Sequence, residues 1–143
     1  MVNSLKKGHR YEREVAKWLS NATGALFYRT PNSGATATSM KIGEFAGDIL
    51  TNDARFANTV IECKHYRKPV TLDDLFASKS YFWEWVHQAT KEADGRDWIL
   101  FFKANRGGTF VCWSNSAMQL CLEIRHLLEE PLRIGGLFVS KIR

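Results

Sequence analysis

Apolar residues near the N-terminus recur with the period of an α-helix. Over roughly residues 9–21 they form a single stripe, and Gly24 follows at the position of a helix C-cap. The stripe consists of Tyr11, Val15, Trp18, Leu19 and Ala22. The stretch ALFYR then predicts a short strand. A polar segment rich in small residues, which includes Pro31 and Gly34, predicts a loop before the next strand.

The middle of the chain alternates between strand and helix patterns. DILTN and NTVIECKHY predict two neighbouring strands, and in the second Ile61 and Cys63 face one side while Glu62 and Lys64 face the other. Thr71, followed by two aspartates, predicts the start of a helix that reaches about Lys91. DWILFFKA and TFVCW predict two further strands, joined by the hairpin turn NRGG.

The C-terminal pattern predicts one more helix, capped by Ser114 or Ser116 and ended by Pro131 and the Gly135–Gly136 pair. Its apolar face holds Ala117, Leu120, Cys121, Ile124, Leu127 and Leu128. The stretch LFVSKI predicts an edge strand after it. Helix, three strands, helix, two strands and helix in this order predict an α/β fold with a mixed central sheet flanked by helices, built as a single domain over residues 1–143.

Composition limits the class of protein and the cellular compartment that fit this chain. The chain has 143 residues, of which 45% are hydrophobic, and this is enough for a packed core without disulfides. No apolar run approaches the ~20 residues of a membrane span, and no signal peptide opens the chain, so no membrane partner is expected. Three cysteines without paired spacing fit a reduced cytoplasm, in a prokaryotic cell or in the host of a virus.

The charge pattern points to an anionic partner. The formal net charge is +5, and basic residues crowd the first helix and return near predicted strand ends. Glu12 and Glu14 stand among these cations. Salt bridging within the helix would explain both glutamates, and a role in chemistry on a polyanion would explain one of them. The helical period does not choose between the two residues.

Three charged residues predict a catalytic site when they are taken together. Glu62 and Lys64 leave the same face of one strand, and Asp48 opens the strand before it. If the two strands are neighbours, the two carboxylates approach each other closely enough to share a metal ion. Mg²⁺ held by carboxylates suits phosphodiester hydrolysis, and a nearby lysine can orient water or stabilise developing charge. Each residue taken alone is more often a solvated surface or turn residue.

The order of these motifs resembles the PD-(D/E)xK nuclease superfamily, and within it the archaeal-type Holliday junction resolvases. The resemblance rests on KGHRYEREVAKWL, LFYR, GDI and IECK, and covers about residues 6–68. It implies a restriction-endonuclease-like core and a site of Asp48, Glu62 and Lys64, with Glu12 as the functional glutamate of the first helix. The loop before Asp48 is longer than is typical of the archaeal enzymes, so the resemblance supports nuclease chemistry more strongly than junction specificity.

The resemblance also implies a metal and further contacts. Mg²⁺, for which Mn²⁺ can substitute, would be bound by Asp48, Glu62, the backbone carbonyl of Cys63 and Glu12. Glu14 is the alternative to Glu12. The residues expected to contact DNA phosphates are Lys7, Arg10, Arg13 and Arg29, and the loop adds Ser33 and Lys41 as candidates against the alternative of a solvated loop. Gln88 stands where some branches of the superfamily carry a polar residue facing the site.

The sequence therefore predicts a metal-dependent endonuclease that hydrolyses branched DNA, with the four-way junction as the expected substrate. The alternatives are a nuclease of this fold acting on duplex, flap or single-stranded DNA, and a non-catalytic DNA-binding module. The aromatic segment SYFWEWV predicts more aromatic surface than one helix face can bury. That excess favours a homodimer interface, with base stacking and a broad core as rival explanations.

Overall fold

The computed structural model describes residues 4–31 and 46–143, and its strands form one seven-stranded sheet in the order β1-β2-β3-β4-β5-β7-β6. The strands are β1 Phe27–Arg29, β2 Ile49–Thr51, β3 Thr59–Tyr66, β4 Asp97–Ala104, β5 Phe110–Trp113, β6 Leu132–Ile134 and β7 Leu137–Lys141. The helices are α1 Ser4–Thr23, α2 Leu72–Phe76, α3 Tyr81–Ala93 and α4 Gln119–Ile124, with short 3₁₀ turns at Ala54–Phe56 and Arg125–Leu127. Strands β3 and β4 pair in parallel and the other pairs are antiparallel. The predicted α/β fold with a mixed sheet is confirmed.

The sheet separates two hydrophobic layers. Ile61 and Cys63 of β3 pack in the layer that contains α1 and α4, whereas Val60 packs in the layer that contains α2 and α3. The alternation predicted for β3 is therefore present. It sends Glu62 and Lys64 towards the α3 side and His65 towards the α1 side.

The first helix is longer than predicted. It begins at Ser4 rather than near residue 9, and its buried residues are Tyr11, Val15, Ala16 and Leu19. Gly24 ends it in the left-handed conformation (φ 77°), and its N–H donates to the Ser20 carbonyl at 2.9 Å, as expected of a C-cap.

The helix predicted from Thr71 to Lys91 is wrong as one element. Thr71 does cap α2 through a capping box with Asp74, but α2 ends at Phe76. The Ser80 hydroxyl donates to the Asp74 carbonyl at 2.7 Å, and this bond fixes the turn before α3. The Trp83 indole can then donate to the Leu75 carbonyl at 2.9 Å.

This packing reduces the aromatic surface that the sequence predicted. Phe82 and Trp85 are buried, Trp83 is half-buried against α2, and Tyr81 is 56% exposed.

The C-terminal predictions need several corrections, among them the end of the last helix, which lies at Ile124 and well before Pro131. Helix α4 begins at Gln119, with Met118 and neither serine at its N-cap, and the Ser116 hydroxyl accepts a hydrogen bond from the Trp113 indole. The Gly135–Gly136 pair forms a turn with positive φ angles, and the turn joins β6 to β7. Strand β6 was missed, and β7 lies between β5 and β6 rather than at the edge. None of the described helices has the length and apolarity to span a membrane.

Candidate active site

The site is built where the short strand β2 begins beside the longer β3. Within the described residues, β2 and β3 pair at Ile49 and Ile61, and no strand follows β2 along β3 past Glu62. Gly47 approaches β3 so closely that an added Cβ would lie 2.7 Å from the Ile61 carbonyl oxygen. Its φ of 90° also belongs to the region that favours glycine. This glycine brings the next residue, Asp48, against the open edge of β3.

Asp48 is fixed by two hydrogen bonds to β3. Its N–H donates to the Ile61 carbonyl at 2.7 Å, and its Oδ2 accepts from the Cys63 N–H at 2.8 Å. In an extended strand the N–H and C=O of one residue point to the same edge. The Cys63 carbonyl therefore faces the same open edge as the Asp48 carboxylate.

Glu62 is the buried acid of the site, at 3% exposure. Its carboxyl lies within hydrogen-bonding reach of the Glu92 and Asp48 carboxyls, and burial together with these two neighbours raises its pKa far above the usual range. Its Oε1 has no hydrogen-bond partner among the described residues. A buried carboxyl oxygen facing other carboxylates requires a proton or a cation.

Lys64 lies on the same face of β3, where hydrogen-bonded side chains of α3 hold it. Its Nζ donates to the Gln88 amide oxygen at 2.8 Å, and the Gln88 amide nitrogen donates to Glu92 Oε1 at 3.2 Å. Hydrogen bonding to Glu62 lowers the pKa of Glu92. The ammonium, the amide and the two carboxyls thus form one connected network.

Glu12, and not Glu14, lies towards this network. Arg29 Nε donates to Glu12 Oε2 at 2.7 Å, and both side chains are largely buried. Burial raises the pKa of Glu12, and the Asp48 carboxylate adds to this rise, while Arg29 opposes it. Glu14 is exposed on another side of α1, near Tyr11 and His65.

The remaining DNA-binding candidates divide into three groups. Arg13 and Arg29 lie close enough to His9 and Glu12 to affect their pKa values, which places both arginines beside the site. Lys7 and Arg10 lie on another side of α1, in a cleft with other cations. Ser33 and Lys41 lie outside the described residues.

Comparison with family models gives one match, over residues 3–133, to the family described as "Phage putative PDDEXK endonuclease". The chain belongs to this family. The match covers most of the chain and places it in the PD-(D/E)xK superfamily, in agreement with the seven-stranded mixed sheet. Neither the curated proteins nor the solved structures that were searched contain a match.

The residue types that give the PDDEXK family its name are present in order in this member. Asp48 and the triplet Glu62-Cys63-Lys64 have the required residues and spacing. Gly47 stands where the name has proline. Proline fixes φ near −65°, so it could not adopt the φ of 90° that carries the chain to β3 here.

Glu92 is the residue of the site that sequence reasoning missed. It lies one helical turn beyond Gln88 on α3, so a polar residue at 88 facing the site implies a second one at 92. Helical spacing could have found it from Gln88. The rotation of α3 against the sheet, which turns this helix face towards the site, could not be read from the sequence.

The donor set fits a hard divalent cation that retains waters. Asp48 and Glu62 supply carboxylate oxygens, the Cys63 carbonyl faces the same edge, and no hydrogen-bond partner of Glu62 Oε1 lies in the described parts of the chain. In residues 4–31 and 46–143, no group of three or more Asp, Glu, His or Cys side chains is arranged to hold a metal ion, so side chains alone would supply at most two ligands. This arrangement suits Mg²⁺, which binds through one or two carboxylates and keeps several waters.

Proposed function

We propose that this PDDEXK family member is a metal-dependent endonuclease that hydrolyses DNA phosphodiester bonds. The observation that carries the proposal is the buried Glu62 carboxyl, which faces Asp48 and has Lys64 two residues along the same strand face. One of its oxygens has no hydrogen-bond partner in the portion of the chain that the structure describes. A purely structural role gives no reason to bury a carboxyl between two others.

Each residue of the network has a role in this reaction. Asp48, Glu62 and the Cys63 carbonyl would hold Mg²⁺ or Mn²⁺. The ion would supply charge neutralisation at the phosphate and lower the pKa of water. Lys64, oriented by Gln88, would position the attacking water and stabilise charge on the phosphate oxygens. Glu12 would add a carboxylate on the α1 side, and Arg13 and Arg29 would contact the phosphates that flank the cut.

The test compares Asp48→Asn and Glu62→Gln with wild type in a DNA cleavage assay with and without Mg²⁺. Asp73→Asn, on the exposed surface of α2, is the matched control. Cleavage should require the metal, disappear in both site variants and persist in the control. DNA binding, measured by fluorescence anisotropy without metal, should survive in all three. Undiminished cleavage by either site variant would contradict the proposal.

For the substrate, we propose branched DNA and above all the four-way junction. The support is the resemblance of the α1, Asp48 and Glu62-Cys63-Lys64 motifs to the archaeal-type resolvases, together with the concentration of cations on α1. A homodimer would allow symmetric nicking of two junction strands. Sedimentation measures the oligomeric state directly.

Cleavage rates on a junction, a flap, a linear duplex and a single strand of matched sequence separate the alternatives. A junction preference supports resolvase activity, and equal rates on duplex indicate a general endonuclease. Tight binding without any Mg²⁺- or Mn²⁺-dependent product would favour the non-catalytic module.

A further inference from the structure

A second cationic site lies on the α1 side of the sheet. Its walls come from α1, the end of β3 and the turn between β4 and β5, and they enclose about 810 Å³. Five of its lining side chains are cationic, and we call this site the basic cleft. They are Lys7, Arg10, Arg67, Lys103 and Arg106. Glu14 is the acidic residue in its lining.

The basic cleft is separate from the carboxylate network, although α1 contributes to both. With 3.6 residues per turn, Lys7 and Arg10 lie on roughly the opposite side of α1 from Glu12. On β3, His65 lines the cleft while Lys64 points to the other face of the sheet. A ligand in the cleft therefore does not occupy the proposed position of the scissile phosphate.

Charge in the cleft is not balanced by ion pairs. Within the described parts of the chain, no salt bridge joins any of the five cations to a carboxylate. The Lys7 ammonium donates to the Asn105 amide oxygen at 3.1 Å, and the Lys103 ammonium lies 5.8 Å from the centre of the Tyr11 ring. Neutral partners hold these cations in place but leave their charge available, which creates a positive potential in the cleft.

The floor and rim of the cleft carry two further unusual features. His65 packs edge-on against Tyr11 at 5.5 Å, and its ring lies within reach of the Lys7 backbone. Arg106 adopts a φ of 62°, in the left-handed region where glycine costs less, and two glycines follow it. An arginine in this position places a guanidinium at the rim, although its backbone then has an unfavourable left-handed conformation.

We propose that the basic cleft binds a second stretch of DNA backbone, on the same substrate but away from the scissile bond. The ligand is phosphate rather than base, because five cations line the cleft, while the Tyr11 ring is buried against His65 and Lys103. This inference rests on the proposed nuclease function for its choice of DNA.

The test uses the double variant Arg67→Gln/Arg106→Asn, in which asparagine tolerates the left-handed conformation. The control is Lys79→Gln/Arg125→Gln, which removes two exposed charges outside the cleft and the carboxylate network. Anisotropy of labelled duplex and four-way junction is measured over a salt series in chelator, so that no cleavage intervenes. Each lost phosphate contact lowers the slope of log affinity against log salt by ~0.9.

The cleft variant should therefore bind more weakly, with a slope smaller by about 1 to 2, while the control matches wild type. On duplexes shortened to a few base pairs, the difference between the cleft variant and wild type should vanish. Equal losses in both double variants, or an unchanged slope in the cleft variant, would overturn the proposal. If wild type binds in this manner but cleaves no DNA with metal, the nuclease function fails while the cleft assignment stands.

Discussion

The Lys64 ammonium donates a 2.8 Å hydrogen bond to the Gln88 side chain, and this bond links the strand that carries Glu62 to helix α3. A free lysine side chain samples many rotamers, and ordering it costs conformational entropy. The hydrogen bond to Gln88 orders the Lys64 side chain before the substrate binds. Gln88 also accepts without carrying charge, so it orients the ammonium without adding another carboxylate beside it.

Replacement of Gln88 by alanine should release Lys64. We expect the cleavage rate at saturating DNA to fall roughly tenfold to a hundredfold, because the lysine loses its position without losing its charge. The Michaelis constant should change little. Glu84→Ala, at an exposed position of the same helix, controls for effects on helix stability. An unchanged rate in Gln88→Ala would show that Lys64 needs no such support.

Glu12 and Glu14 provide a matched pair within one helix. Glu12 is largely buried against Arg29 and close to Asp48, whereas Glu14 is exposed on another side. Glu12→Gln should therefore lower the cleavage rate by at least about tenfold, and Glu14→Gln should leave it within about twofold. The cleavage rates of the two variants, each measured with Mg²⁺ and with Mn²⁺, decide which glutamate takes part in the reaction. The reverse order would transfer the role to Glu14.

Most of the sheet could be predicted from the sequence because its central strands have strong patterns. The boundaries of β4 match the prediction, since the centre of DWILFFKA, WILFF, is an uninterrupted apolar run buried on both faces. Strand β6 could not be predicted, because Leu132 and Arg133 are both exposed and show no alternation. The break after α2 depends on a hydroxyl of Ser80 that reaches back to Asp74, and no periodicity reveals such a contact.

The site was predictable where it depends on local geometry and not where it depends on helix docking. Glu62 and Lys64 share a face because they are two apart on a strand, whatever surrounds that strand. The choice of Glu12 came from a resemblance, since the helical period left both glutamates open. Glu92 depends on how α3 rotates against β3. That rotation is set by packing of Phe82 and Trp85, far along the helix from the carboxyl.

The buried Glu62 carboxyl should make metal-free stability depend on pH. Its pKa is raised in the folded protein above the unfolded value of 4.5, so the folded state holds this proton more tightly. The stabilising effect is fully present below about pH 4.5 and is lost progressively as pH rises towards the folded pKa. Glu62→Gln removes this dependence. The Tm of wild type relative to Glu62→Gln, measured in chelator, should therefore fall between about pH 5 and about pH 8. A constant difference would contradict the burial of an ionisable group here.

Glu92 should set the pH at which the site becomes active. Its carboxylate is the strongest of the neighbours that disfavour ionisation of Glu62, and Glu62 must ionise before it can bind a cation. Glu92→Gln keeps the shape of the side chain and its contact with Gln88, but replaces a like charge with an amide that can donate to the ionised Glu62. The pKa of Glu62 should then fall, and the rising limb of the cleavage rate against pH should move to lower pH. Glu84→Gln, two turns earlier on α3, should leave the limb in place. Loss of activity at every pH without a shift of the limb would instead indicate that Glu92 itself binds the metal.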